Sequence, residues 1–113
     1  MDSFRRISSD QLREKQKRGE EIIVLDLRTP EEFEKEHIGG SLNIPLETLT
    51  PTAIQQLLEN HSRNPFFLIC STGKLAYKAA EIFYDYGHFE VIVIAGGLLA
   101  WRVLGFPLQG KKL

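Results

Sequence analysis

The chain contains one cysteine, Cys70, and its setting decides what chemistry is open to it. It closes an apolar run, Phe66-Phe67-Leu68-Ile69, and is followed by the small residues Ser71-Thr72-Gly73. A stretch with helical spacing comes directly after. A lone cysteine on an apolar strand is ordinarily a small core hydrophobe. Three local features point instead to a reactive thiol. The residue stands where the chain leaves the core. Its small neighbours let backbone N–H groups converge into an anion-binding nest. A helix N-terminus then adds partial positive charge. Such surroundings favour the thiolate, which is the nucleophilic form, and Lys74 adds a full charge beside it. The sulfur is therefore expected at an exposed focus of inward-pointing amides. A thiolate held in this way can attack phosphorus or sulfur, and the amides then stabilise the resulting anion. With sulfur the product is a persulfide, which a second nucleophile collects in a ping-pong cycle.

Placing that thiol requires a strand that ends on it and a helix that starts after it, and the rest of the sequence reads as a repetition of this unit. Phe4 to Ile7 suits a short first strand. Ser8 or Ser9 caps a helix to about Arg18, stopped by Gly19. Residues 22–26, IIVLD, form a β-branched apolar run of the kind buried on both faces of a sheet. Thr29-Pro30 with two glutamates starts a short helix that Gly39-Gly40 are expected to end. SLNIP gives a brief strand, and Thr50-Pro51 starts a helix to about Asn60 with Ile54, Leu57 and Leu58 on one face. FFLIC is the next buried strand. Gly73 to Tyr86 is helical, with Ala76, Ala79, Ala80 and Phe83 facing the sheet and Gly87 closing it. EVIVIA is a last strand, Gly96-Gly97 turn, and Leu98 to Leu104 form the final helix. Apolar strands alternating with helices predict a parallel sheet covered on both faces. Ligand sites in such sheets lie beyond the carboxyl ends of the strands, where both Asp26 and Cys70 fall.

The bulk composition bounds the function. At 113 residues the chain is long enough for one domain with a real core, expected to span residues 1–113. An apolar share of 42% and a charged share of 26% are those of an ordinary globular protein. A net charge of −1 without a basic stripe argues against nucleic acid, and no apolar run is long enough for a membrane span. The start, MDSFRRISSD, has no apolar segment of a secretory signal, and one cysteine cannot form an intramolecular disulfide, so a cytoplasmic location is expected. No His, Cys or acidic pair has metal-ligand spacing, and no metal is expected.

Three motifs, in order, resemble a single-domain rhodanese, a sulfurtransferase family, along nearly the whole chain. They are VLDLRTPEEFEKEHIGGSLNIP at 24–45, the CSTGK loop after its apolar strand, and GHFEVIVIAGGLLAWRVLGFPL at 87–108. The resemblance implies a three-layer α/β sandwich with a five-stranded, mostly parallel sheet and helices on both faces. It implies Cys70 as the catalytic nucleophile cycling between thiol and persulfide, and the amides of Ser71, Thr72, Gly73, Lys74 and Leu75 as the persulfide cradle. It implies no cofactor, a small sulfur donor such as thiosulfate, and a thiol or cyanide as acceptor. Two departures stand out. Leu75 and Ala76 occupy positions where many members carry arginine and serine, and leucine lacks the forked donors that suit a doubly charged anion. Glu36 stands where a glycine often precedes the His-Ile pair. Phosphatases of related fold need an arginine six residues after the cysteine, and Ala76 speaks against that activity.

Other residues carry weaker expectations. Arg28 could face an anionic substrate as part of the pocket, though an ion pair with a glutamate of 30–36 is the favoured reading. His37 reads as a packed turn residue, Trp101 as the anchor of the last helix, and Gly97 as a residue bordering the pocket. Three functions follow: a sulfurtransferase using a small donor, a relay or carrier passing sulfur to a partner protein with weak thiosulfate activity, and a binding module that has lost the chemistry. Leu75 shifts weight towards the relay. The intact cysteine and nest argue against the silent module. The sulfurtransferase leads.

Overall fold

A computed structural model describes residues 4–61 and 65–111. Five strands form one sheet: β1 (Arg6–Ile7), β2 (Ile23–Asp26), β3 (Leu42–Asn43), β4 (Phe66–Ile69) and β5 (Val91–Ile94), in the order β1-β5-β4-β2-β3. Every pairing is parallel, so the expected sheet, mostly parallel, is parallel throughout. The helices are α1 (Ser9–Lys17), α2 (Pro30–Lys35), α3 (Pro51–Asn60), α4 (Lys74–Tyr86) and α5 (Gly97–Val103), with a 3-10 turn at Leu46–Thr48 between β3 and α3.

The two faces of the sheet carry separate cores. One buries Leu25, Leu68, Val91 and Val93 beneath α3 and α4, including Ile54, Leu57, Ala76, Ala79, Ala80 and Phe83. The other buries Val24, Phe67, Ile69, Ile92 and Ile94 beneath Leu12 of α1 and Leu98 and Trp101 of α5. Strand residues therefore alternate between two apolar layers, and continuous apolar runs follow from that. The alanines at 76, 79 and 80 bring α4 close to the sheet, and burial of a ring such as Phe83 or Trp101 contributes roughly 1.5–3 kcal/mol each. Trp101 also donates its indole N–H to the carbonyl of Pro107 at 2.9 Å, fixing the chain after α5.

α2 departs from expectation. It ends at Lys35, with Glu36 already extended, well before Gly39-Gly40. The stop is set by distant partners. His37 pairs with Gln109 in both directions, N to O at 2.7 and 2.8 Å, and Lys111 N–H donates to the Glu34 carbonyl at 2.8 Å. Lys111 thus has a main-chain role, while Lys112 lies outside the described residues. None of the six residues of α2 is buried. No helix among the described residues is long and apolar enough to cross a membrane.

Candidate active site

Parallel pairing brings the ends of β2, β4 and β5 to one side of the sheet, and with them the segments after Asp26, Ile69 and Ile94. Cys70 follows β4 directly. Its Sγ accepts a hydrogen bond from Gly73 N–H at 3.1 Å, the one main-chain donor on the sulfur among the described residues. Gly73 is left-handed, with φ of 105°, and it caps α4 without a side-chain bond. That conformation suits glycine and turns its amide back onto the thiol. Ser71 and Thr72 are exposed, as are Lys74 and Leu75 at the start of α4, while Gly73 is buried. Lys74 makes no ion pair among the described residues.

The expectation of an open sulfur is corrected: Cys70 is 1% exposed and packs in the α3–α4 core. The main chain of the cysteine loop is held by the start of α5. Leu98 N–H donates to the Cys70 carbonyl at 2.8 Å, and Leu99 N–H to the Ser71 carbonyl at 3.0 Å. Gly97, at φ of 60°, lies so close that an added Cβ would meet the Cys70 oxygen at 2.5 Å and the Ser71 oxygen at 2.6 Å. The bordering role expected of Gly97 is thus a backbone-to-backbone contact with the cysteine loop.

Ser71 and Thr72 form one wall of a cavity of about 380 Å³. α2 and its flanks supply Arg28, Glu32, Lys35 and Glu36, and α5 supplies Leu98, Leu99 and Arg102. The lining thus holds three cations and two carboxylates. Arg28 does line it, but its guanidinium is committed. Nε and Nη2 donate to the fully buried Asp26 carboxylate at 2.8 to 3.2 Å, and Nη2 also donates to the Glu36 carbonyl at 2.7 Å. The ion-pair reading of Arg28 holds, with Asp26 and not a glutamate as its partner. The pair closes the gap between β2 and α2, and Asn43 Nδ2 ties the same segment down by donating to the carbonyls of Asp26 and Arg28 at 3.1 and 3.0 Å. His37 is the packed residue expected, stacked on Phe33 with centroids 3.9 Å apart and Nδ1 2.6 Å from the Phe33 carbonyl.

The sequence reading passed over Arg102 and treated Glu36 only as a departure. In the structure they meet: Arg102 Nε donates to Glu36 Oε2 at 2.6 Å, and Nη2 contacts the same oxygen. The pair spans the cavity from α5 to the end of α2. The signal available was the position of Arg102 beside Trp101: a buried anchor at 101 leaves its neighbour on the exposed side of α5. Among the described residues no three His, Cys, Asp or Glu side chains come together as a metal site.

Residues 8–103 match the model of the rhodanese-like domain. The chain belongs to that family. The chain is 26% identical to a sulfurtransferase of Allochromatium vinosum over 94% of its own length and 95% of the relative's. It is 29% identical to a thiosulfate sulfurtransferase of Pseudomonas aeruginosa, over 89% of this chain and 86% of that protein. A putative sulfur carrier protein of Bacillus subtilis is 32% identical over 88% of the chain, which spans about half (51%) of that protein. A Bacillus halodurans protein of solved structure superposes with a TM-score of 0.83 at 26% identity, covering 94% of this chain and 77% of that one.

Proposed function

We propose that this rhodanese-like chain is a sulfurtransferase, acting as one domain in the cytoplasm, with Cys70 as the sulfur carrier. The observation that carries the reading is the Gly73 N–H on Cys70 Sγ at the head of the 13-residue α4. A helix of that length presents aligned peptide dipoles at its N-terminus, a setting that suits the anionic outer sulfur of a persulfide. In the first half-reaction the Cys70 thiolate attacks the outer sulfur of thiosulfate. A new S–S bond forms, the old one breaks, and its electron pair leaves with sulfite. In the second, an acceptor thiolate or cyanide attacks the terminal sulfur and Cys70 leaves as thiolate, so the enzyme returns unchanged.

A persulfide carries its terminal sulfur about 2.05 Å beyond Sγ. The amides of Ser71, Thr72, Lys74 and Leu75 therefore have a separate task from Gly73: they receive the outer sulfur, which the reduced thiol does not yet present. Cys70 is 1% exposed and does not itself line the cavity, whereas Ser71 and Thr72, the next two residues, do, so a donor would reach the sulfur from that wall as the loop opens. Incubation with thiosulfate, followed by mass spectrometry of the intact protein, is expected to show one added sulfur atom, absent in Cys70→Ser. Failure of every sulfane donor to modify Cys70 would leave a binding module.

Leu75 and Leu99, both exposed apolar side chains, favour a second reading in which the donor is a persulfidated protein. The sulfur-carrier name of the Bacillus subtilis relative agrees with it. Loading from such a protein, with thiosulfate inert, selects the relay.

A further inference from the structure

Position 75 offers an anionic donor no guanidinium, and Lys74 beside it brings charge without the fork, so the cations lining the cavity are the candidates for forked binding. Arg28 is held by Asp26 and by the Glu36 carbonyl. Lys35 is a single exposed ammonium on α2, without the forked geometry of a guanidinium. Arg102 differs from both. It shares the cavity with Ser71 and Thr72, its side chain is 47% exposed, and its one partner among the described residues is the Glu36 carboxylate. We propose that Arg102 is the anion-binding guanidinium of this site and that Glu36 competes with the incoming anion for it. The proposal rests on the cavity being the donor site of the sulfur transfer described above, and it names the donor class as a compact oxyanion.

The geometry of the pair supports exchange. Nε and Nη2 of Arg102 both address one oxygen, Oε2, and this edge of the guanidinium suits two oxygens of a tetrahedral oxyanion equally well. Glu36 is held in place by its backbone, because Arg28 takes its carbonyl at 2.7 Å. Its carboxylate is thus tethered at the cavity wall as a built-in rival of the ligand. Exposed pairs of this kind are weak, so a ligand can displace the carboxylate, at a loss of affinity no greater than about fivefold. The site then rests self-neutralised and becomes cationic when Glu36 swings away.

The test titrates the wild-type protein with inorganic sulfate, an inert tetrahedral dianion, and follows binding by calorimetry. Glu36→Gln is expected to tighten sulfate by about two- to fivefold. Arg102→Gln should weaken it by about tenfold, and Arg102→Lys should fall between, since charge returns without the fork. In the Arg102→Gln background, Glu36→Gln should add nothing. Unchanged affinity in both Arg102 variants would overturn the proposal, as would an equal gain from Glu36→Gln in both backgrounds, which would reflect net charge alone. Sulfate binding is read without turnover. A Cys70 that never accepts sulfur therefore defeats the proposed function and not this assignment, and the converse result separates them equally.

Discussion

The helices of this molecule begin in two different ways. α1, α2 and α3 start on Ser8, Thr29 and Thr50, whose hydroxyls accept from the backbone N–H three residues on; Ser8 and Thr29 complete reciprocal capping boxes with Gln11 and Glu32. α4 and α5 start on left-handed Gly73 and Gly96, with no side-chain cap at all. A capped start consumes its own orphan donors, and an uncapped one leaves them for a partner elsewhere. In α5 the partner is known: the amides of Leu98 and Leu99 hold the carbonyls of Cys70 and Ser71. In α4 the Gly73 amide meets the thiol. Local chemistry thus serves the helices that build the frame, while the two beside the cysteine exchange donors with the site.

The contrast can be broken most severely at Gly97. Gly97→Ala combines a positive φ with a Cβ at 2.5 Å from the Cys70 oxygen, and should cost about 3 kcal/mol in denaturant unfolding through strain and overpacking. Alkylation of Cys70 should also speed up in that variant as the cysteine loop loosens; an unaltered rate would show that the α5 start does not hold that loop closed over the thiol. Capped starts predict a milder outcome. Thr29→Ala and Thr50→Ala should each lose about 1 kcal/mol, with the rate of Cys70 alkylation unchanged. The smallest structural effect belongs to Leu75→Arg, at a side chain 40% exposed, where stability should stay within about 0.5 kcal/mol. Its consequence is kinetic: a lower KM for thiosulfate in steady-state assays, while an unchanged KM would show that the missing guanidinium at 75 is immaterial.

The same contrast explains what was legible in the sequence. Ser8, Thr29 and Thr50 announce their helices because a cap is a contact over three residues. The apolar strands announce the parallel sheet because burial on two faces removes alternation. The end of α2 did not announce itself, since Gln109 and Lys111 fix it from the far end of the chain. The grip of the Gly97 turn on the cysteine loop is hidden for a related reason: strand order sets β5 beside β4, and only then does that turn reach the Cys70 carbonyl. Asp26 as the partner of Arg28 was within reach, because residues two apart on an extended segment share a side. Position 36 was noticed only for the glycine it lacks, and the carboxylate it brings gains meaning once Arg102 stands opposite.

One wall of the cavity differs from the others in what fastens it. The β4–α4 and β5–α5 sides are secured by buried side chains, whereas α2 buries none and is pinned by polar and main-chain ties at Arg28, His37 and Lys111. Segments with few apolar contacts are the first to open in local fluctuations. Amide hydrogens of α2 should therefore exchange with solvent deuterium ahead of those in β4 and β5, and the cavity breathes on the side that carries Glu36.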